Sequence, residues 1–432
     1  MNFYNLKHKE EQLNFKEATI KGQGKDKGLF FPEDISKFSN EFLQNLPNLS
    51  NEEIAFQVMK DFAGDEIPEA ELRKIVAETI AFEIPLKKVT ENISVLELFH
   101  GPTLAFKDVG ARFMSRCLGY FLKNETRKVT VLVATSGDTG GAVANGFYDV
   151  EGIEVVILYP KNRVSPVQEK QLTALGKNIH ALEVNGSFDD CQALVKQAFS
   201  DESLNEKLLL TSANSINVAR WLPQQIYYVL ALKQWLKINS ENPVICVPSG
   251  NFGNICAGIL AHHRGLPVEH FIAACNVNDV VPEYLRTEIL QPKETVATIS
   301  NAMDVGDPSN FVRILELFDK EFNQVKNKLS GYTIDDEETL KTIERVEKDY
   351  GYVLDPHGAV AFVALEKYLA EKGGKGFFLE TAHPVKFPDS VEQATGKSVE
   401  IPKSLEELMK QEKFTTEINP QYEELKEFLL KK

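Results

Sequence analysis

Short apolar runs alternate with longer mixed stretches along most of this chain, and that alternation predicts its fold. Residues 128–134 (KVTVLVA) are apolar and β-branched almost throughout, as in a strand buried on both faces. They run into Ser136-Gly137-Asp138-Thr139-Gly140-Gly141, where a helix is predicted to start at once. Residues 153–159 predict a second strand, and Asn185-Gly186 ends a third before a helix from near Ser187. Residues 217–237 read as one long amphipathic helix. Residues 244–247 predict a strand that enters Ser249-Gly250-Asn251-Phe252-Gly253-Asn254 and a further helix. Residues 269–275 read as strand, 356–369 as helix, and 377–379 as a strand that stops at Glu380-Thr381. Strand, glycine loop and helix in repetition predict an α/β protein with parallel sheets and helices on both faces. In such sheets ligands sit beyond the carboxyl ends of the strands, where all of these loops fall.

The first 90 residues have a different pattern. Gly22 to Gly28 is a glycine-rich loop with Lys21, Lys25 and Lys27. It lacks P-loop spacing, so a polar turn is the plainer account than a phosphate cradle. Helices are predicted over 51–62 and 69–78. After Ile401 the pattern predicts two amphipathic helices split by Pro420, packed on the body of the protein.

Composition narrows the function classes. At 432 residues, two or three domains are expected. A hydrophobic share of 43% and a charged share of 26% are those of a soluble globular protein. The net charge of −15 argues against nucleic acid or an anionic membrane as partner. An anionic substrate therefore needs a local cluster of donors. The five cysteines, Cys117, Cys191, Cys246, Cys256 and Cys275, lie far apart with no CxxC pair, which predicts reduced thiols, no zinc site and a cytoplasmic location. No run approaches membrane-spanning length.

One stretch concentrates candidate chemistry. Residues 100–114 (HGPTLAFKDVGARFM) place Lys107 among Leu104, Ala105, Phe106 and Val109. An ammonium in an apolar wall is desolvated, which favours the neutral, nucleophilic amine able to condense with an aldehyde cofactor. A helix-start lysine that reaches its charge out to water is the plainer alternative, and composition alone favours it.

The motif GPTLAFKD resembles the cofactor-lysine motif of the threonine synthase family. SGDTGG, SGNFGN, NAMDVGDPSNF and ETAHPVKF resemble that family's other signatures, in its order, and Gly28-Leu29-Phe30-Phe31-Pro32-Glu33 fits the end of its N-terminal pattern. Five matches in order are far more specific than one. The resemblance implies a pyridoxal 5'-phosphate enzyme of the tryptophan synthase β-like fold (fold type II), with two parallel or mixed sheets flanked by helices. It implies a mainly helical N-terminal domain over 1–90, a catalytic region over 91–400 whose smaller subdomain spans roughly 110–240, and a helical tail over 401–432.

The resemblance also implies roles. Lys107 carries the cofactor and acts as acid and base, while Gly250, Asn251, Phe252, Gly253 and Asn254 cradle its phosphate. Thr381 faces the pyridine nitrogen, with His383 beside it as a structural bond-maker. Ser136, Gly137 and Thr139 hold the substrate carboxylate, Thr139 doubling as a helix cap. Asp138 stands where many relatives in the wider fold have Asn. An aspartate so near two anions is costly unless it accepts hydrogen bonds, the cofactor phenol being one donor. Candidates for the substrate phosphate are Asn214, Ser215, Asn217 and Arg220, with Arg163, Lys170 and Arg313. The implied reaction turns O-phospho-L-homoserine and water into L-threonine and phosphate, in a monomer or homodimer. A related phospho-lyase or dehydratase releasing 2-oxobutyrate is the alternative, and a catalytically silent phosphate-ligand sensor is a rival from another class.

Overall fold

The predicted strands all find parallel partners. The computed structural model describes residues 1–123 and 128–431, in two units. The first comprises Met1–Phe31, Lys107–Arg220 and Ile401–Lys432, and the second Pro32–Phe106 and Trp221–Glu400. Residues 1–90 are thus divided between the two at Phe31, and the chain passes from the second unit to the first at Phe106-Lys107.

In the first unit a five-stranded sheet runs Thr415–Ile418, Ile179–Val184, Ile153–Pro160, Val129–Ala134, Leu209–Ser212, every pair parallel. Val129–Ala134 is buried at every position, as its uninterrupted apolar run requires. Leu132, Val156 and Leu182 pack with Leu194 and Leu425 into one core. A small antiparallel sheet pairs Asn2–Asn5 with Gln12–Asn14 and adds Phe30–Pro32.

In the second unit a six-stranded sheet runs Leu329–Thr333, His270–Cys275, Val244–Pro248, Gly376–Glu380, Ile93–Glu97, Leu86–Lys88. Only the Leu86–Lys88 edge is antiparallel. The helix Pro356–Lys372 covers it with Val360, Phe362 and Leu365, all fully buried. Helices Asn51–Ala63 and Glu69–Thr79 also lie in this unit, close to their predicted bounds.

Three expectations need correction. The long helix over 217–237 is three pieces, Val218–Trp221, a 3-10 turn Leu222–Gln224, and Gln225–Trp235. Pro223 has no N–H to continue the ladder, and the last piece is buried nearly all round, not amphipathic. The tail has helices Lys403–Lys410 and Tyr422–Leu430, but between them Thr415–Ile418 joins the five-stranded sheet as its edge. Two threonines and an isoleucine suit a strand, and the period-3.6 reading ran through them. The N-terminal stretch is mainly helical as expected, with short strands beside its helices. Lastly, Thr139 caps nothing: the N-cap of Asp138–Phe147 is Gly137, with no side-chain cap bond.

The glycine loop at Gly22 to Gly28 is a turn built around Asn5. The Asn5 amide donates to Lys25 O at 3.0 Å and to Glu11 Oε2 at 2.6 Å. A Cβ on Gly28 would fall 1.7 Å from Asn5 Oδ1, so these glycines make room for a side chain. All five cysteines are buried and free.

Candidate active site

In the first unit, Lys107 opens the helix Lys107–Leu122. Its side chain is 17% exposed, and Nζ lies 3.9 Å from Oδ2 of Asp138, which is 4% exposed. Asp138 begins the helix after the Val129–Ala134 strand. Thr135 shapes the loop between them, its hydroxyl accepting from the Gly137 N–H at 3.0 Å and the Gly140 N–H at 2.8 Å. Gly137 has φ 135°, a conformation that a side chain would oppose. Ser136 and Thr139 are half-buried while Thr135, Gly137, Asp138, Gly140 and Gly141 are buried. The loop therefore offers two hydroxyls at a helix N-terminus, a donor set suited to a carboxylate. Gln168, on the helix Pro166–Thr173, donates from Nε2 to Asp138 Oδ1 at 3.0 Å.

In the second unit the Val244–Pro248 strand ends in Ser249-Gly250, and the helix Gly253–His263 follows. A Cβ on Gly250 would stand 2.6 Å from Met303 Cα, so the motif NAMDVGDPSN closes directly on this loop. The Asn251 side-chain oxygen accepts from the Ser309 N–H at 2.8 Å and the Ser309 hydroxyl at 2.7 Å. Phe252 caps the helix from the left-handed region, φ 60°. Such backbone costs roughly 1–3 kcal/mol and persists only where packing enforces it. Here the buried ring packs edge-on to Phe311 at 5.6 Å. Asn254 Oδ1 accepts from the Tyr228 hydroxyl at 2.7 Å, while its buried Nδ2 has no hydrogen-bond partner among the described residues.

Thr381 follows the strand Gly376–Glu380 and is 7% exposed. Its carbonyl accepts the Phe106 N–H at 2.8 Å, and Tyr227 donates its hydroxyl to the Phe106 carbonyl. The residue before Lys107 is thereby held at both its backbone groups. Leu104, φ 57°, takes the Gly101 carbonyl on its N–H and gives its own carbonyl to His383 N–H. The fully buried Lys386 donates to Thr103 O at 2.8 Å and pins the same loop. His383 Nδ1 accepts from the Val385 N–H at 3.1 Å, the bond-maker's role expected of it, and burial followed by His100 lowers its pKa to about 4.

Among the substrate-phosphate candidates, Asn217 is committed elsewhere. Asn217 is fully buried, both amide hydrogens go to Thr19 O and Ser212 O, and its oxygen accepts from Ala219 N–H. That leaves it no donor for a ligand, and it is a strut of the first unit. Arg220 is 3% exposed and donates to the Ala213 carbonyl. A Cβ on Gly110 would come 3.0 Å from its Nε, so it too is packed against backbone. Arg313 is fully buried with its guanidinium 4.2 Å from the Trp221 ring centre and donates to Asn310 Oδ1. Lys170 donates to the Gln411 carbonyl, and Arg163 is exposed. Asn214 and Ser215 are half-buried.

Thr135, Gln168 and Lys386 escaped the sequence reading as functional residues. Gln168 did carry a signal, because Ser165-Pro166-Val167-Gln168 has the spacing of a capping box.

An uncommitted buried amide in a loop that no Cβ could share, at a helix N-terminus, fits the phosphate of pyridoxal phosphate. A lysine at a helix start fits its aldehyde. Residues 80–376 match the family model described as "Pyridoxal-phosphate dependent enzyme", and the protein is an enzyme of that class. Residues 2–80 match "Threonine synthase N terminus" and residues 358–429 match "Threonine synthase, C-terminal". Threonine synthase of Haemophilus influenzae is 46% identical over 431 residues, covering 100% of both chains. The crystal structure of the Escherichia coli threonine synthase superposes with TM-score 0.93 at 45% identity over 100% of both chains. A pyridoxal-phosphate-bound threonine synthase from Brucella melitensis gives TM-score 0.92 at 35% identity over 99% of this chain and 98% of that one. The chain belongs to the threonine synthase family. No helix among the described residues is long and apolar enough to cross a membrane.

Proposed function

We propose that this enzyme converts O-phospho-L-homoserine and water into L-threonine and phosphate. When bound, pyridoxal phosphate supplies an aldehyde for the substrate amine and a ring that withdraws electrons from Cα and Cβ. In this reading Gly250, Asn251, Phe252, Gly253 and Asn254 hold its phosphate, and Thr381 gives the ring nitrogen a hydroxyl. A hydroxyl does not hold that nitrogen protonated as an aspartate would, which tempers the electron withdrawal. Ser136, Gly137 and Thr139 orient the substrate carboxylate. Lys107 Nζ takes the proton from Cα; loss of a Cβ proton then expels the γ-phosphate, Cγ takes up a proton to become the methyl group, water adds at Cβ, and Nζ returns a proton to Cα. We place the enzyme in the cytoplasm, with its cysteines reduced.

The observation that carries the substrate assignment is the match at both ends of the chain. The flanking segments 2–80 and 358–429 fit threonine synthase models, beyond the stretch that fits the general cofactor family. The test is product analysis in heavy-oxygen water. Threonine should form with one phosphate released per turnover and the label in its hydroxyl. Homoserine should be nearly inert, since a site built for phosphate leaves its donors unpaired around a smaller analogue. If 2-oxobutyrate is the main product, the protein is a lyase of the same fold.

A further inference from the structure

We propose that His357 is a positioning residue for the loop that holds the cofactor phosphate: as a hydrogen-bond acceptor it keeps the turn Asn301–Met303 against Gly250. The inference rests on reading the loop from Gly250 to Asn254 as the phosphate cradle.

The turn is the wall of that loop. Asn301–Met303 is a 3-10 turn closed by the Met303 N–H, which donates to the Ser300 carbonyl at 2.9 Å. A Cβ on Gly250 would stand 2.6 Å from Met303 Cα and 3.1 Å from the Ala302 carbonyl oxygen. Loop and turn therefore meet backbone to backbone, and in close-packed surroundings a shift of one moves the other. The first N–H groups of such a turn have no partner within it. That of Ala302 donates to His357 Nε2 at 3.2 Å.

This bond fixes the tautomer of the imidazole. A backbone N–H only donates, so the Nε2 it meets carries no proton and the ring proton sits on Nδ1. Nδ1 faces Asp355 Oδ2 at 3.2 Å. Asp355 is itself held, because it is the N-cap of the helix Pro356–Lys372 and its Oδ1 accepts the Gly358 N–H at 2.6 Å. Both side chains are buried, and the His357 ring centre lies 4.7 Å from that of Phe387. The cap carboxylate thus sets which ring nitrogen accepts, and the ring presents that acceptor to the turn. A histidine that only filled this core would need no acceptor opposite Ala302.

The test compares two amides in cofactor-stripped protein. His357→Gln places its carbonyl oxygen where Nε2 stands and still accepts from Ala302. His357→Asn reaches Asp355 but stops short of the turn. Hydrogen exchange of the peptide that carries Ala302 should be as slow in His357→Gln as in wild type and faster in His357→Asn. Affinity for pyridoxal phosphate, read by titration, should be kept in His357→Gln and fall about fivefold in His357→Asn, as for one ordinary hydrogen bond. Pyridoxal, which lacks the phosphate, should bind both variants alike. Asp355→Asn keeps the cap through its oxygen and turns its amide nitrogen toward Nδ1. The ring proton then moves to Nε2, donor faces donor at Ala302, and affinity should fall as in His357→Asn. In the His357→Gln background the same change at Asp355 should leave affinity where it was, since that amide has no tautomer to set. If His357→Asn does not fold, Asp355→Asn alone and in that background carries the comparison. Equal cofactor affinity in His357→Gln and His357→Asn, or losses that follow the melting temperature of the stripped protein instead of the acceptor, overturns the inference. If Gly250→Val binds pyridoxal phosphate as tightly as wild type, the cradle reading fails independently of His357.

Discussion

Asn254 is the residue through which the cofactor reading can be tested most locally. Its oxygen is taken by Tyr228, and its buried nitrogen has no partner among the described residues. Asn254→Asp keeps the acceptor for Tyr228 and replaces the donor with a carboxylate facing an anion. Losing a hydrogen bond to a charged group is worth about 1.5–3 kcal/mol, so affinity for pyridoxal phosphate should fall at least about tenfold. Titration of the stripped protein with cofactor checks this, and wild-type affinity would remove Asn254 from the cradle. The loop's place between a buried strand and a helix was legible from the apolar run that ends at Ser249-Gly250. The uncommitted amide was not, since satisfaction depends on Tyr228, which lies 26 residues away. Asn217 shows the converse. Polar residues in a loop look available until burial shows their bonds already taken.

At the scale of elements, the strands were legible wherever burial on both faces made them continuously apolar. The misread pieces are those where a neighbour or one residue overrides the periodicity: Pro223 within 217–237, and the tail strand Thr415–Ile418, which needs Ile179–Val184 beside it. The second unit also sets three of its histidines at element ends. His263 ends Gly253–His263, His270 begins His270–Cys275, and His383 caps the turn Pro384–Lys386. Burial lowers each of the three to about 4. The unfolded chain then binds more protons below 6.5, so stability falls as pH drops from about 6.5 to about 4. Glu380 opposes this. Burial and then the Asp355 charge raise its pKa far above 4.5, so its contribution is present at low pH and lost as pH rises. Asp304, raised by burial, has the same sign. Glu97 and Glu154 are lowered, and their contributions fade only below about 4.5. The melting temperature should therefore decline between pH 6.5 and 4.5, and more steeply in Glu380→Gln. A flat or rising profile in that variant would contradict the assignment.

At the scale of the whole molecule, a chain of net charge −15 carries its candidate anion-binding loops at the carboxyl ends of strands in the five- and six-stranded sheets. The order of the motifs was legible because each lies in a short contiguous loop. Each unit gathers segments distant in sequence, which no local pattern announces. Lys107 stands where the chain crosses from one unit to the other, its preceding residue fixed through Thr381 and Tyr227. The site as described depends above all on that lysine carrying the cofactor. Borohydride reduction of the purified enzyme, followed by peptide mapping, tests it directly: the pyridoxyl group should be found on Lys107 and be absent from Lys107→Ala, and its recovery on any other lysine would contradict the site described here.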